Sequence, residues 1–373
     1  ADYVRESYRA AGQYDSKVPN KELDFKIDAF GGNSNNSAGL PIDAYTWESI
    51  AMAYDENGNY DPSKVRSGAL WWKEVEQTGM VTDHQLSIRG GSDKTQFAFG
   101  ATYYRNEGIY KQQEYDRYTI RLSVDSEVNN WLKVGGQTQY SHSINKRGTN
   151  FQDKWRVNPL GRLYDDDGNL TECTSGVDTQ WWNPLQSLVK GAVVNPKKVN
   201  RFFGSYYAEI KLPLDGLKYR LNAGIDYYGV DDYSFVSSLA REKQVNQAKN
   251  AKENTYAYTL ENLIFYNKEI GDHSFGATLL QSVERNRRES LSANVENLPS
   301  DDLTYNDIAS ALKIAGIDSN NKVWSLASFM GRINYNYKSR YYLTASMRYD
   351  GSSRLADGHK WVSFPSFALA WRI

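Results

Sequence analysis

The sequence lacks the features that mark several large protein classes. Cys173 is the only cysteine, which rules out an intrachain disulfide and any C-x-x-C metal or redox motif. Mean hydropathy is -0.68 and no apolar run approaches the roughly eighteen residues of a membrane-crossing helix. The 44 basic residues are balanced by 45 acidic ones, so no excess positive charge favours a nucleic-acid partner.

Motifs for catalysis or cofactor binding are also missing. There is no G-x-S-x-G, phosphate-binding or dinucleotide-binding pattern, and the four histidines lack metal-ligand spacing and are interpreted as lumen or turn residues. The oxygen-rich segments 55–62 and 165–169 could suggest calcium, but their spacing favours Asx and glycine turns. We therefore expect no catalytic residue, no metal and no cofactor.

The sequence is rich in aromatic residues and contains segments in which apolar and polar residues alternate. Tyrosine occurs 28 times and tryptophan 10 times, a composition typical of β proteins and of the aromatic girdles of outer-membrane barrels. After residue 82, about eleven segments alternate apolar and polar residues, as strands with two different faces do. In the clearest segment, 218–227, Tyr219, Leu221 and Ile225 share one face while Arg220 and Asp226 share the other.

The lengths of the connections distinguish a barrel from a soluble sandwich. Short turns alternate with long links at 106–116, 145–201, 230–254, 285–324 and 351–359, which places every long link at one end. The sequence therefore predicts an all-β, antiparallel, up-and-down transmembrane barrel, here a partial barrel of about eleven strands. Residues 1–82 are predicted to be an irregular loop segment with short helices at 5–11 and 67–76, and residues 83–373 to be the strands.

Several segments resemble one family. "LASFMGRINYNYKSRYYLTASMRYDGSSRL" (326–355), followed by "WVSFPSFALAWRI" (361–373), is similar to consecutive barrel strands of the SusC/RagA-type TonB-dependent transporters of Bacteroidetes. "TDHQLSIRGGSDKTQFAFGATYYRNEGIY" (82–110) carries the same resemblance, which extends over most of the chain after about residue 65.

The resemblance implies a location and a set of partners. It implies a multi-pass protein of the bacterial outer membrane that imports oligosaccharides or peptides, works with a SusD-like surface lipoprotein, and draws energy from the TonB complex through a plug. Such transporters have roughly 22 strands around a plug, and no plug segment is recognisable here. A half-barrel with two open edges is unfavourable in lipid, so we expect a fragment of a longer protein.

Two sets of residues are candidates for contact with a substrate. The long link 145–201 carries aromatic and polar side chains that could stack on sugars or hold peptides: Trp155, Asp178, Gln180, Trp181 and Trp182. The alternative is that these tryptophans pack the loop against itself. The second set is predicted to line the lumen, either along the substrate path or paired with acidic neighbours: Arg121, Arg220, Arg332 and Arg348.

Two other functions remain open on the sequence alone. A passive porin-like or adhesin barrel would show the same alternation but would need no plug. A secreted, soluble β-protein that binds glycans would instead pack its apolar strand faces against each other.

Overall fold

The computed structural model describes residues 71–151, 163–165, 167–172, 182–241 and 244–373. Within these ranges a short helix, α1 (Trp71–Val75), precedes twelve strands and four 3-10 helices. The strands are β1 (Val81–Gly91), β2 (Thr95–Glu107), β3 (Glu114–Glu127), β4 (Leu132–Lys146), β5 (Val193–Val194), β6 (Pro196–Lys211), β7 (Leu217–Val236), β8 (Gln247–Ile270), β9 (His273–Glu296), β10 (Lys313–Tyr337), β11 (Tyr341–Ser352) and β12 (Trp361–Trp371). The 3-10 helices are Pro184–Leu188, Leu239–Arg241, Asp301–Leu303 and Ile308–Ser310.

These strands form one antiparallel sheet in which neighbours in sequence are neighbours in space. The order is β1-β2-β3-β4-β6-β7-β8-β9-β10-β11-β12, and the two-residue strand β5 pairs with the end of β7. The sheet is not closed, so β1 and β12 form its two edges. The predicted all-β, up-and-down wall of about eleven long strands is therefore confirmed.

The register divides the sheet into two chemically different faces. Residues paired across strands share a face, and Ile225 pairs with Gly204 on one side and Tyr258 on the other. We call the face that carries Ile225 the apolar face and the opposite one the polar face. On the apolar face large side chains are well exposed, for example Leu279 at 57% and Ile333 at 59%. Such exposure is costly in water but suits a wall in contact with lipid.

Aromatic residues border the apolar face at both ends. Near the short turns, His273, Tyr335, Tyr337, Tyr341 and Trp371 form a chain of ring contacts. Near the long connections, rings pair across strands at centroid distances of 4.8 to 5.0 Å: Tyr103 with Tyr118, Tyr227 with Tyr256, and Tyr349 with Trp361.

The spacing of these two girdles matches a membrane. On β11, Tyr341 and Tyr349 belong to opposite girdles, and the eight steps between them span about 26 Å along the strand. A strand tilt of about 35–45° reduces this to roughly 20 Å, close to the height of an outer-membrane apolar band of about 25 Å. The apolar face thus has the dimensions as well as the chemistry of a lipid-facing surface.

Short and long connections alternate along the sheet as predicted. The short ones are 92–94, 128–131, 212–216, 271–272 and 338–340, and the long ones are 108–113, 147–192, 237–246, 297–312 and 353–360. Two predicted long loops are shorter than expected, because 230–254 contracts to 237–246 and 285–324 to 297–312. At their ends near these long connections the strands continue through polar sequence, where backbone pairing persists although neither face is apolar.

At the long-loop end the connections and the adjoining strand ends form two small cores. One consists of Trp71, Val75, Phe151, Leu163 and Leu185, and the other of Phe235, Ala248, Val295 and Leu298. Helix α1 falls within the predicted helix 67–76 and contributes to the first core. The predicted helix at 5–11 lies outside the described residues, so the boundary at residue 82 stays a prediction. No helix in the described ranges has both the length and the apolarity to cross a membrane.

Candidate functional site

All four arginines predicted to line the lumen lie on the polar face. The register connects Arg220, through Leu263, Leu280 and Met330, to Arg348 in one cross-strand row. Arg332 lies two residues beyond Met330 on β10, on the same face, and Arg121 is on this face of β3. The structure thus brings them to one surface, and their role in lining a lumen remains a prediction.

Three of these arginines are held by polar neighbours. The Arg121 Nε donates to Gln139 Oε1 at 2.8 Å. Arg220 lies 4.0 Å from the centre of the Tyr207 ring and its Nη1 is 3.7 Å from Glu209 Oε2. Arg348 binds Asp350 through Nε at 2.8 Å. Arg220 thus has an acidic partner on the neighbouring strand, as in the pairing alternative, whereas Asp350 belongs to the same strand as Arg348 and Arg121 is held by an amide.

The polar face carries a cavity of about 530 Å³ over the first four strands. Its floor is made of small residues on β1 and β2, including Ser87, Ala98 and Gly100, and the nearest atom to a Cβ placed on Gly100 would be 3.8 Å away. Arg121 and Gln139 form one wall, and Phe203 also lines the cavity. The cavity is not among the features predicted from the sequence, although adjacent small residues on one strand face are a signal for it.

The groups around this cavity define what it can bind. The guanidinium groups of Arg89 and Arg121 donate hydrogen bonds, amide side chains such as Gln85 and Gln137 both donate and accept, and no acidic side chain lines the cavity. The Phe203 ring offers an apolar surface beside them. Such a combination suits neutral, hydroxyl-rich or amide-rich ligands.

Trp182 is not an exposed stacking platform. Its side chain is only 3% exposed and its indole N–H donates to the backbone oxygen of Leu239. The prediction that Trp182 contacts substrate is therefore wrong, because the ring is used to pack the loop against the β7–β8 connection. The alternative of loop packing holds for this residue.

The residue after Trp182 organises the same loop. Asn183 is fully buried, and its Nδ2 donates to the backbone oxygens of Leu163 at 2.8 Å and Thr171 at 3.0 Å. Its Oδ1 accepts from the Leu185 N–H and caps the 3-10 helix Pro184–Leu188. Every polar atom of the amide side chain is thus used to fold the loop.

Further contacts anchor the loop to the barrel wall. Arg147 Nη2 lies 2.6 Å from Asp232 Oδ1, and Arg147 Nε donates to the backbone oxygen of Asn195 at 3.0 Å. Gln112, in the β2–β3 connection, donates to the backbone oxygen of Leu188 at 2.9 Å. Burial raises the pKa of the Tyr164 hydroxyl in this region, with a smaller effect from Glu74. The described part of the loop is therefore a packed cap.

The other four loop candidates cannot be placed in this cap. Trp155, Asp178, Gln180 and Trp181 lie outside the described residues. Their contact with substrate remains a prediction.

The candidate calcium segment at 165–169 forms a turn. Asp165 Oδ1 accepts from the backbone N–H groups of Asp167 at 3.0 Å and Asn169 at 2.7 Å. Segment 55–62 lies outside the described residues. Among the residues that are described, no group of three His, Cys, Asp or Glu side chains could hold a metal ion.

The histidines on the strands do not face the lumen side. His84, His142 and His273 lie on the apolar face near its ends, where His84 stacks on Tyr103 and His273 binds the Tyr335 hydroxyl at 2.7 Å. The interpretation as lumen or turn residues is therefore wrong for His84 and His142, which lie within strands on the apolar face, whereas His273 directly follows the turn 271–272. Their rings extend the aromatic girdles, a placement that spacing motifs cannot reveal.

Comparison with known proteins shows what this arrangement is similar to. The chain is 26% identical to TonB-dependent receptor P3 of Formosa agariphila over 353 residues, which cover 91% of this chain and 34% of the receptor. It is 24% identical to TonB-dependent receptor SusC of Bacteroides thetaiotaomicron over 330 residues, covering 81% of this chain and 32% of SusC. The chain thus spans about a third of the length of these curated relatives. No family model matches the sequence.

Solved structures support the same fold. The RagAB peptide transporter superposes with a TM-score of 0.67 at 18% identity, covering 93% of this chain and 41% of that one. RagAB in the closed-closed state gives 0.68 at 19% identity, over 94% and 41%. Together with the relatives above, this fold confirms the predicted resemblance of the chain to SusC/RagA-type TonB-dependent transporters.

Proposed function

We propose that this chain forms part of the wall of an outer-membrane importer that takes up oligosaccharides or peptides with energy from TonB. The observation that carries the proposal is the division of the sheet into an exposed apolar face between two aromatic girdles and a hydrogen-bonding polar face. Similarity to TonB-dependent receptors over 91% of the chain supports it. The apolar face would meet lipid in a multi-pass barrel, and the polar face would line the path of the substrate.

The polar face favours a neutral or weakly charged substrate. Its charges are largely compensated within the sheet, as in the pairs Arg201–Asp226 and Lys218–Glu209. The cavity around Arg121 and Phe203 offers hydrogen bonds beside an aromatic ring. Oligosaccharides and peptides both present the hydroxyl, amide and apolar surfaces that such a wall can bind.

The partners follow from the same proposal. A SusD-like surface lipoprotein would cover the long-loop end, where the two small cores hold the connections in place. The TonB complex would act through a plug supplied by the rest of the gene product. No residue of this chain has a catalytic role in the proposal.

Growth experiments test the import function. The gene that encodes this chain is deleted in the native host, and growth is compared on panels of oligosaccharides and of peptides as the limiting nutrient. We expect loss of growth on one panel, restored by the complete gene. The same complemented strain without TonB should again fail to grow.

The comparison with and without TonB distinguishes the alternatives. Complementation that is independent of TonB would overturn the proposal in favour of a passive porin-like barrel. Recovery of the gene product as a secreted soluble protein would favour glycan binding without transport.

A further inference from the structure

Two arginines on the polar face line the same cavity without an acidic partner. Arg89 on β1 and Arg121 on β3 both border the cavity of about 530 Å³, and no ion pair is found for either among the described residues. Arg89 pairs with Ala98, and Ala98 pairs with Ser123, two residues from Arg121. The Cα atoms of the two arginines are therefore about 12 Å apart, across the small residues of the cavity floor.

A neutral partner orients Arg121 and leaves its charge in place. Its Nε donates to Gln139 Oε1 at 2.8 Å, and its Nη groups have no partner in the described part of the chain. Arg201, on the same face of β6, shows the opposite arrangement, because its Nε and Nη2 bind the Asp226 carboxylate at 3.2 and 2.8 Å. The wall itself neutralises Arg201, whereas Arg121 can pair with an acidic group of a ligand.

The acid in the adjoining row is turned away from the two arginines. Asp125 lies two residues beyond Ser123 on β3, and its carboxylate accepts a hydrogen bond from the Tyr207 hydroxyl on β6. One carboxylate oxygen lies 2.5 Å from the position of a Cβ on Gly135 in β4. The carboxylate is therefore directed toward β4 and β6, whereas Arg89 lies on the other side, on β1.

The rest of the cavity lining on the polar face is uncharged. It offers hydroxyl, amide and aromatic groups from Ser87, Ser123, Gln85, Gln137 and Phe203. Two like charges in a recess of a low-dielectric wall concentrate the electric field there and attract anions. This recess is thus an exception to the largely compensated charge of the polar face.

We propose that Arg89 and Arg121 bind a carboxylate group of the imported substrate, whose hydroxyl-rich or amide-rich body lies against the neutral lining and the Phe203 ring. The inference rests on the proposed function, since the polar face must line the substrate path. It narrows the substrate to a molecule with an acidic group, either a peptide with a free carboxy terminus or an oligosaccharide that contains a uronic acid. The planar fork of an arginine matches the two oxygens of such a carboxylate.

Binding of matched ligand libraries to the purified complete gene product tests the site. One pair is a random tetrapeptide library with free or with amidated carboxy termini, and the other is a mixture of uronic-acid oligosaccharides with free or with methyl-esterified carboxylates. Bound ligand is quantified by mass spectrometry after equilibrium dialysis. We expect the acidic form of one pair to bind about tenfold more tightly than the neutral form, because hydrogen bonds to charged groups are among the stronger ones. The pair that shows this preference identifies the source of the carboxylate.

Variants assign the preference to the two arginines. Arg121→Ala and the double variant Arg89→Ala/Arg121→Ala should lose the preference for the acidic form, while Arg121→Lys should keep part of it because the charge remains. Arg117→Ala is the matched control, since Arg117 lies on the same face of β3 and contacts the Tyr104 ring outside the cavity lining. This control should prefer the acidic form as the wild type does.

Three results would overturn the site. They are equal binding of the acidic and neutral forms by the wild type, an unchanged preference in the double variant, and an equal loss of preference in Arg117→Ala and the double variant. Should the double variant fail to assemble, Arg89→Gln and Arg121→Gln measured singly in assembled protein decide between the outcomes.

Failure of this inference is distinguishable from failure of the proposed function. A wild type that imports its substrate with TonB but binds acidic and neutral forms equally refutes the carboxylate site alone. Uptake that is independent of TonB refutes the proposed importer, and binding to the purified protein then still decides the role of Arg89 and Arg121. A gene product that never reaches the outer membrane refutes both.

Discussion

At the residue scale, neighbouring side chains in the long loop show how burial decides a role. Trp182 and Asn183 lie in a segment rich in aromatic and polar residues, which the sequence suggests for ligand binding. Both are buried, and their polar atoms are used within the loop. Residue type alone cannot separate an exposed stacking ring from a packing ring, because the difference depends on contacts with Leu163, Thr171 and Leu239, which are distant in sequence.

Replacing Asn183 should loosen the loop without affecting the wall. Asn183→Ala leaves the buried Leu185 N–H without its acceptor and removes one donor each from the backbone oxygens of Leu163 and Thr171, which costs about 1–3 kcal/mol of local stability. We expect limited proteolysis of intact cells to cut this loop roughly five times faster or more, as that energy implies. The control is Asp167→Ala, an exposed turn residue. Equal cleavage of both variants would contradict the buried role of Asn183.

A larger side chain introduced at the floor of the polar-face cavity would fill it. Gly100→Leu places a side chain into the open space above Ser87 and Ala98, and we expect uptake of the substrate to fall at least tenfold. Gly224→Leu is the control, because Gly224 lies on the same face of β7, away from the cavity, with only ordinary contact to Thr259. Unchanged uptake by Gly100→Leu, measured in the complemented deletion strain, would show that substrate does not use this cavity.

At the element scale, the strands follow from alternation wherever one face is apolar. Lys218–Tyr227 was predicted from period two alone, and β7 contains it. The same criterion fails at the ends of β8 and β9 near the long connections, where both faces are largely polar, as in Lys249–Glu253 against Ser290–Asn294. There the hydrogen-bonded ladder maintains the strands together with ion pairs such as Lys249–Asp232 and Arg288–Glu253, and amphipathic patterning carries no signal for it.

Adjacent residues of β9 test which face meets lipid. Leu279 lies on the apolar face and is 57% exposed, whereas Leu280 lies on the polar face. An arginine at position 279 would stand within the apolar band, at a cost of about 2–4 kcal/mol near the bilayer midplane. We expect Leu279→Arg to lower the amount of heat-modifiable barrel several-fold and Leu280→Arg to leave it nearly unchanged. In a soluble protein the exposed Leu279 would tolerate the charge, so equal levels of both variants would contradict a lipid-facing surface.

At the scale of the whole molecule, the alternation of short and long connections was the decisive sequence signal for the wall. The up-and-down order, the single sheet and the two faces were all predictable, because each depends on local pattern and on neighbouring strands. The two cores at the long-loop end were not, since Trp71, Phe151 and Leu185 are far apart in sequence and no local pattern brings them together. The cavity over β1 to β4 likewise depends on the register between strands.

The open edges of the sheet lead to a prediction about the isolated chain. Backbone groups along the outer sides of β1 and β12 have no strand partner in the described sheet, and each unpaired group costs several kcal/mol in hydrocarbon. We expect the 373-residue chain expressed alone to aggregate or to be degraded. Stable insertion of the isolated chain as a monomer, seen by membrane fractionation and gel filtration, would contradict this expectation.

The most direct test of the central claim is fractionation of cells that express the complete gene product, with a gel comparison of heated and unheated outer membranes. We predict a band in the outer-membrane fraction whose mobility changes on heating, because a closed barrel resists detergent until it is boiled. A soluble periplasmic or secreted band, without a shift on heating, would contradict the assignment of this sheet to a barrel wall.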